Sequence, residues 1–278
     1  MEASRRHSPR QTAAHAQHYV PSQPIVAKVL PLKAEGESVE FVCSCSTCPA
    51  YELNLCATAR KKAQSEPGPH PEAPLIASTA HSISARRIIC HPKEWSEFVT
   101  IICEGWAASS VALPDGRQQI LSFLLPGDIV SLASLLEVTS GRTVEAITEV
   151  TYRNFKRSEL KASLLTYPDL LGKLAKIWIE EKTQADQLAL DLGRRTADER
   201  IARQLLSLAD KLAKRGMTNG QTMEFPLRQR HIADATGLTP VHISKVLGEF
   251  QRAGLIEIGG RALTIANEKE LLRVAEWR

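Results

Sequence analysis

A chain of 278 residues with 43% hydrophobic content is long enough for two modest domains and a tail, each with a core of its own. Lysine plus arginine number 35 against 31 aspartates and glutamates, and a net charge of +4 is too mild to announce a nucleic-acid partner by itself. No apolar run reaches the roughly 18 to 20 residues of a membrane span, and MEASRRHSPRQTAAHAQ lacks the apolar core of a secretory signal, so a cytoplasmic chain with six reduced cysteines and no disulfide framework is expected.

Residues 1–80 read as an arm, a cysteine cluster and a linker. Up to about residue 40, Ser, Pro, Gln, His and charge dominate, with one apolar run from Ile25 to Leu32, and a mobile arm is expected. Then Cys43, Cys45, Cys48 and Cys56 crowd into FVCSCSTCPAYELNLC. Thiolates three residues apart in a loop can converge on one metal centre while a more distant one closes the shell. An iron-sulfur cluster, a tetrathiolate zinc site and no metal at all remain open. The Pro-rich, charged stretch after Ala57 (RKKAQSEPGPHPEAP) is the linker.

Residues 81–166 read as a small antiparallel roll: short alternating strands from Arg86 to Glu159, punctuated by Glu104-Gly105, Pro114-Asp-Gly-Arg117 and Pro126-Gly127-Asp128. Cys90 and Cys103 fall here, Cys103 in an alternating strand where it suits a small buried hydrophobe. Tyr167-Pro168-Asp169 opens a long helix (167–193). Its Leu171, Leu174, Trp178, Glu181, Ala185, Leu188 and Leu192 fall on alternating three- and four-residue steps, a coiled-coil seam with one acidic interruption that calls for an identical partner. A second apolar set, Leu170, Ile177 and Leu190, is placed to pack on the roll. Gly193 is expected to end that helix.

Residues 194–278 start with a capping box, Thr196-Ala-Asp-Glu199, ahead of a helix with the stripe Ile201, Leu205, Leu208 and Leu212. A loop is expected from Gly216 to Gly220. Leu227 to Thr236 is a short amphipathic helix stopped by Gly237, and Thr239-Pro240 caps and starts another, VHISKVLGEFQRAG. Ile243, Val246, Leu247 and Phe250 face inward on that helix, leaving Val241, His242, Ser244, Lys245 and Glu249 toward solvent. Leu255–Ile258 and Arg261–Ile265 alternate around Gly259-Gly260, a hairpin wing with a primed turn. The class is therefore α+β, a β-roll followed by a long dimerisation helix and a winged helix-turn-helix. Candidate DNA contacts are Arg228, Arg230, Thr239, Val241, His242, Ser244, Lys245 and Arg261.

ADATGLTPVHISKVLGEFQRAGLIEIGGRALTI resembles the DNA-binding end of the CRP/FNR superfamily of bacterial transcription regulators, and EGWAASSVALPDGRQQILSFLLPGD resembles its cyclic-nucleotide-binding-type roll. The likeness covers roughly Arg86 to Ala275 and implies a homodimer that reads an inverted repeat in double-stranded DNA and works with RNA polymerase. Cys45-x2-Cys48-x7-Cys56 is similar to the cluster with which oxygen-sensing FNR-type members hold a [4Fe-4S] centre, helped by one cysteine of the roll. Here Arg153 stands at that fourth position, leaving Cys43, Cys90 or Cys103 as substitutes. Cyclic-AMP-binding members use a Gly-Glu pair and an arginine. Val130-Ser131-Leu132-Ala133 replaces the acid, and Arg142-Thr143 alone does not make a site, so no cyclic nucleotide is expected. The family's Glu-x-x-Ser-Arg pattern becomes Val241-x-x-Ser244-Lys245, so the family's half-site does not carry over to this sequence. Two rivals are a thiol or redox enzyme, disfavoured because no His or acid is spaced to activate a nucleophile, and a ligand-binding protein that has lost DNA binding.

Overall fold

The computed structural model describes Ala50 and residues 76–136 and 139–275. Cys43, Cys45, Cys48 and Cys56, with the arm and most of the linker, lie outside the described residues. Two antiparallel sheets form the roll. One has the order β1-β7-β3, with β1 Ser78–Ile83, β7 Val150–Lys156 and β3 Phe98–Glu104, and the other β2-β6-β4-β5, with β2 Ile88–Cys90, β6 Thr143–Ala146, β4 Ala107–Ala112 and β5 Gln118–Leu124. Ile102, Ala107, Leu124, Val130, Val144, Ala146 and Val150 fill the space that these strands enclose. The corner at Gly105 works only with glycine: its φ is 81°, and a Cβ there would lie 2.0 Å from the Glu149 carbonyl oxygen.

After the roll come α1 (Arg157–Thr166), the 27-residue α2 (Pro168–Arg194) and α3 (Ala197–Ala213). Proline at the first position of α2 forfeits no hydrogen bond. The opening turns of α2 bury Leu170 and seat Leu174 among Ile101, Phe155 and Leu160. Gly193 does not end α2. The helix runs one residue past it to Arg194, and the side chain of Asp191 anchors the exit by pairing with Arg195 (2.9 Å) and Arg203 (3.0 Å). The capping box of α3 is present: the Glu199 amide donates to Thr196 Oγ1 (3.4 Å) and the Thr196 amide to Glu199 Oε2 (2.9 Å).

The segment expected as a loop from Gly216 to Gly220 is instead part of a hairpin, β8 (Thr218–Asn219) and β9 (Thr222–Glu224). Its strands, two and three residues long, are too short for alternation to reveal. They extend the wing, β10 (Ile256–Gly259) and β11 (Ala262–Ile265), into a four-stranded sheet of order β10-β11-β9-β8. Between lie α4 (Gln229–Thr236) and α5 (Pro240–Arg252), and α6 (Glu268–Val274) follows. Trp106, Ile120, Phe123 and Leu125 of the roll share one core with Leu205 and Leu212 of α3 and with Ile232 and Ile243 of α4 and α5.

One buried ion cluster fixes this arrangement. Asp128, in the turn after β5, pairs with Lys211 (3.0 Å) and Arg215 at the end of α3 and accepts from the Leu125 amide (2.8 Å). Burial alone would raise the Asp128 carboxyl, but the two cations and these hydrogen bonds outweigh it and hold the pKa at about 2. Asp128→Asn leaves Arg215, whose side chain is only 6% exposed, without its carboxylate. Chemical denaturation should show a loss of about 3 to 5 kcal/mol, the range for breaking one side of a buried pair. Because the folded pKa lies below the ordinary carboxylate value of 3.8, this stabilisation is present above about pH 4 and lost as pH falls toward 2, so the variant should denature with a weaker acid dependence in that window.

Candidate nucleic-acid interface

The candidate reading surface combines α4, α5 and the wing. At the start of α4, the Arg228 amide donates to His231 Nδ1 (3.2 Å). Burial first, then Arg230 and Arg228, lower the His231 pKa to about 4, so the imidazole is neutral and available as this acceptor. A neutral ring has one accepting nitrogen. Nε2 therefore carries the hydrogen, and the Arg230 Nε beside it at 3.3 Å is a contact rather than a bond. Gly237, at φ 68°, turns the chain out of α4, and a Cβ there would lie 3.0 Å from Leu192 Cδ2. Arg200 on α3 donates to the Thr236 carbonyl (3.1 Å), fastening the turn to the helix beneath.

Thr239 then caps α5, its Oγ1 accepting from the His242 amide (3.3 Å), with Pro240 at the first helical position. Ile243, Val246, Leu247 and Phe250 are buried, as the sequence pattern requires. Thr239, Val241, His242, Ser244 and Lys245 form one exposed face. Val241 is 80% exposed, a large apolar side chain held in solvent on the first turn. The Lys245 ammonium lies 4.0 Å from Glu249, a loose surface pair that leaves it able to swing.

The wing turn differs by one residue from the expected Gly259-Gly260. Gly259 pairs with Ala262, so the turn residues are Gly260 (φ 58°) and Arg261 (φ 64°). A type I′ turn needs positive φ at both positions, and here an arginine accepts that strain, which places its guanidinium at the tip, 3.4 Å from Glu224. Arg228 and Arg230 are exposed at the foot of α4.

The remaining candidates are more scattered. On α2, Leu171 and Trp178 are 56% and 60% exposed, Ala185 is exposed, and Glu181, Leu188 and Leu192 are half-buried. Leu174 departs from the expected seam, being 8% exposed and packed on the roll beside Leu170. Burial raises the Glu181 carboxyl despite the opposing pull of Arg142. Arg153, where a fourth thiolate would stand, bonds Ser78 Oγ at 3.0 Å. Burial, then Glu94, push the Cys90 thiol up, away from the thiolate form, and Cys103 sits in β3 with Sγ 3.9 Å from the Ile101 carbonyl oxygen. Among the described residues, no three His, Cys, Asp or Glu side chains are grouped to hold a metal ion, and no helix is long and apolar enough to cross a membrane.

A roll joined through a long helix to a winged helix-turn-helix is the architecture of a DNA-binding regulator, and the comparisons give its family. The Cyclic nucleotide-binding domain family matches residues 80–167 and the Crp-like helix-turn-helix domain family residues 199–274. The chain is 34% identical over 206 residues to the Nitrogen fixation regulation protein FixK of Bradyrhizobium diazoefficiens, covering 72% of this chain and 84% of the relative. It is 30% identical to the Transcriptional activator protein FnrL of Cereibacter sphaeroides, covering 62% and 70%. The solved structure of FixK2 from Bradyrhizobium japonicum superposes with a TM-score of 0.65 at 30% identity, covering 72% of this chain and 98% of that one. The chain belongs to the CRP/FNR family and is a DNA-binding transcription regulator, not an enzyme.

The exposed face of α5 yields a test. Lys245→Ala should weaken operator binding by about 1 to 3 kcal/mol with relaxed preference at one symmetric base pair per half-site if the ammonium reads a base edge. Fluorescence anisotropy on single-base operator variants measures this, and an equal loss on every sequence with a shallower salt slope assigns Lys245 to phosphate instead.

Proposed function

We propose that the protein is a homodimeric, cytoplasmic regulator in which each α5 enters a major groove of an inverted repeat, half-sites lying about one helical turn apart, and that it acts with RNA polymerase. The exposed Thr239–Lys245 face carries this reading. Ser244 and Lys245 are placed to reach a base edge or phosphate, Val241 to meet a thymine methyl, and Arg228, Arg230 and Arg261 to hold backbone phosphates on either side. Dimerisation through α2 is supported by Leu171 and Trp178, apolar side chains more than half exposed on a helix about 40 Å long. The seam that remains is Leu171, Trp178, Glu181, Ala185, Leu188 and Leu192, since Leu174 is committed to the roll. Trp178→Glu, which alters no intramolecular core, should sediment as a monomer and lose most operator binding. A variant that remains dimeric with undiminished affinity refutes this helix as the interface.

The signal we propose is oxygen or redox state, sensed through the N-terminal cysteines. Arg153, at the position of the usual fourth ligand, is engaged with Ser78 and supplies no thiolate. The donor set we propose is Cys45, Cys48 and Cys56, with Cys43, Cys90 or Cys103 as the fourth. A [4Fe-4S] centre there would supply oxidative lability. Anaerobically purified protein should contain iron and acid-labile sulfide, both lost in Cys48→Ser and on aeration. Stoichiometric zinc without sulfide makes the site structural, and protein free of both, binding its operator equally in air, removes the oxygen sensor while leaving the regulator.

A further inference from the structure

The roll and the DNA-binding region also enclose an open cleft of about 1050 Å³. Its roll side is made by the turn Ser84–Arg86 and by residues 145–149, and its other side by residues 224–228, Arg230, His231 and the wing tip 258–261. Four arginines line it: Arg86 from the roll, and Arg228, Arg230 and Arg261 from α4 and the wing. Arg86 stands in the left-handed region, at φ 68°, with its amide donating to the Ala146 carbonyl (2.7 Å). A non-glycine residue held there is strained backbone, a feature that concentrates at ligand-binding positions. Glu145 and Glu149 line the same cleft, so its charge is mixed rather than uniformly basic.

We propose that this cleft binds a nucleotide carrying two or more phosphates, and that the nucleotide and operator DNA compete for the same arginines. Planar guanidinium forks pair with phosphate oxygens. Four arginines lining one cleft from two parts of the molecule match more than one phosphate, and Arg86 is the member that DNA contacts do not explain. Glu145 and Glu149 repel a bare polyanion but accept hydrogen bonds from ribose hydroxyls or an exocyclic amine. The volume lies just above the roughly 300 to 1,000 Å³ usual for small-ligand clefts. Ligand occupying Arg228, Arg230 and Arg261 removes the phosphate contacts that give a DNA complex most of its affinity. The competition half rests on the DNA-binding role proposed above; the binding half does not.

Arg86→Gly separates the two, because glycine adopts φ 68° without strain and the fold is preserved or slightly stabilised. Calorimetry on the full chain with ATP, GTP and inorganic triphosphate should show at least one nucleotide binding about tenfold tighter than triphosphate, and about tenfold weaker in Arg86→Gly. Without nucleotide, wild type and Arg86→Gly should bind an operator fragment equally; with it, the wild-type operator affinity should fall and the variant's should change far less. No heat with any of the three probes, or equal binding by Arg86→Gly, overturns the site. Triphosphate binding as tightly as both nucleotides overturns the nucleotide assignment, and direct binding that leaves operator affinity unchanged overturns the competition. A chain that fails to bind DNA at all refutes the regulator's reading surface while the calorimetry still judges the cleft.

Discussion

The relation between the roll and the DNA-binding region depends on Asp128. A carboxylate at the end of a sheet turn meets Lys211 and Arg215 from the last turn of α3 and its exit, and Lys211 also donates to the Phe123 carbonyl (3.2 Å). Around this cluster the apolar surfaces of the two halves merge, with Trp106 and Phe123 of the roll in the same core as Leu205 and Leu212. The ions do more to orient than to stabilise, since a buried pair gains little over a well-packed apolar substitute but costs heavily when one partner is lost. They give α3 one seat on the roll, and the capping box and the Asp191 pairs with Arg195 and Arg203 then fix how α2 enters α3.

What the sequence made legible was local and periodic. The Thr239-Pro240 start of α5 and its four inward residues are chemistry within thirteen residues, and they stand where the pattern placed them. Register at turns was harder. Glycine pairs suggest Gly259-Gly260, but β11 must present Leu263 and Ile265 to the core, and that demand moves the turn to Gly260-Arg261. Gly193 read as a helix stop because glycine is a poor helix former, yet one glycine costs only about 1 kcal/mol, less than the ion pairs and packing that carry α2 through it. Leu174 was ambiguous in principle: on a helix that packs on its own subunit and offers a seam to another, adjacent three- and four-step positions lie on the boundary of both faces. The partners of Asp128, more than eighty residues away, leave no trace in the local pattern.

Communication between the helix proposed to dimerise and the reading surface has a defined contact. Leu192, at the last full turn of α2, lies against Gly237, the pivot between α4 and α5. Glycine is needed there twice over, for its positive φ and for the space that Leu192 occupies. Gln118 and Gln119 of β5 reach the same region, donating to Asp234 (2.7 Å) and to the Ala235 carbonyl (3.0 Å). A change in how two α2 helices pack would press first on this turn, and a change in the β4–β5 hairpin would pull on α4. Both routes converge on the segment that sets the angle of α5.

These contacts rank in strength, and the ranking bears on how binding could be controlled. Base reading and phosphate holding are separate tasks, the first giving specificity and the second most of the affinity. On the arrangement described, the α5 face with Val241 80% exposed is open, whereas Arg228, Arg230 and Arg261 line the cleft beside Glu145 and Glu149. Control through the cleft would therefore act on affinity at every sequence alike and leave the preferred half-site unchanged.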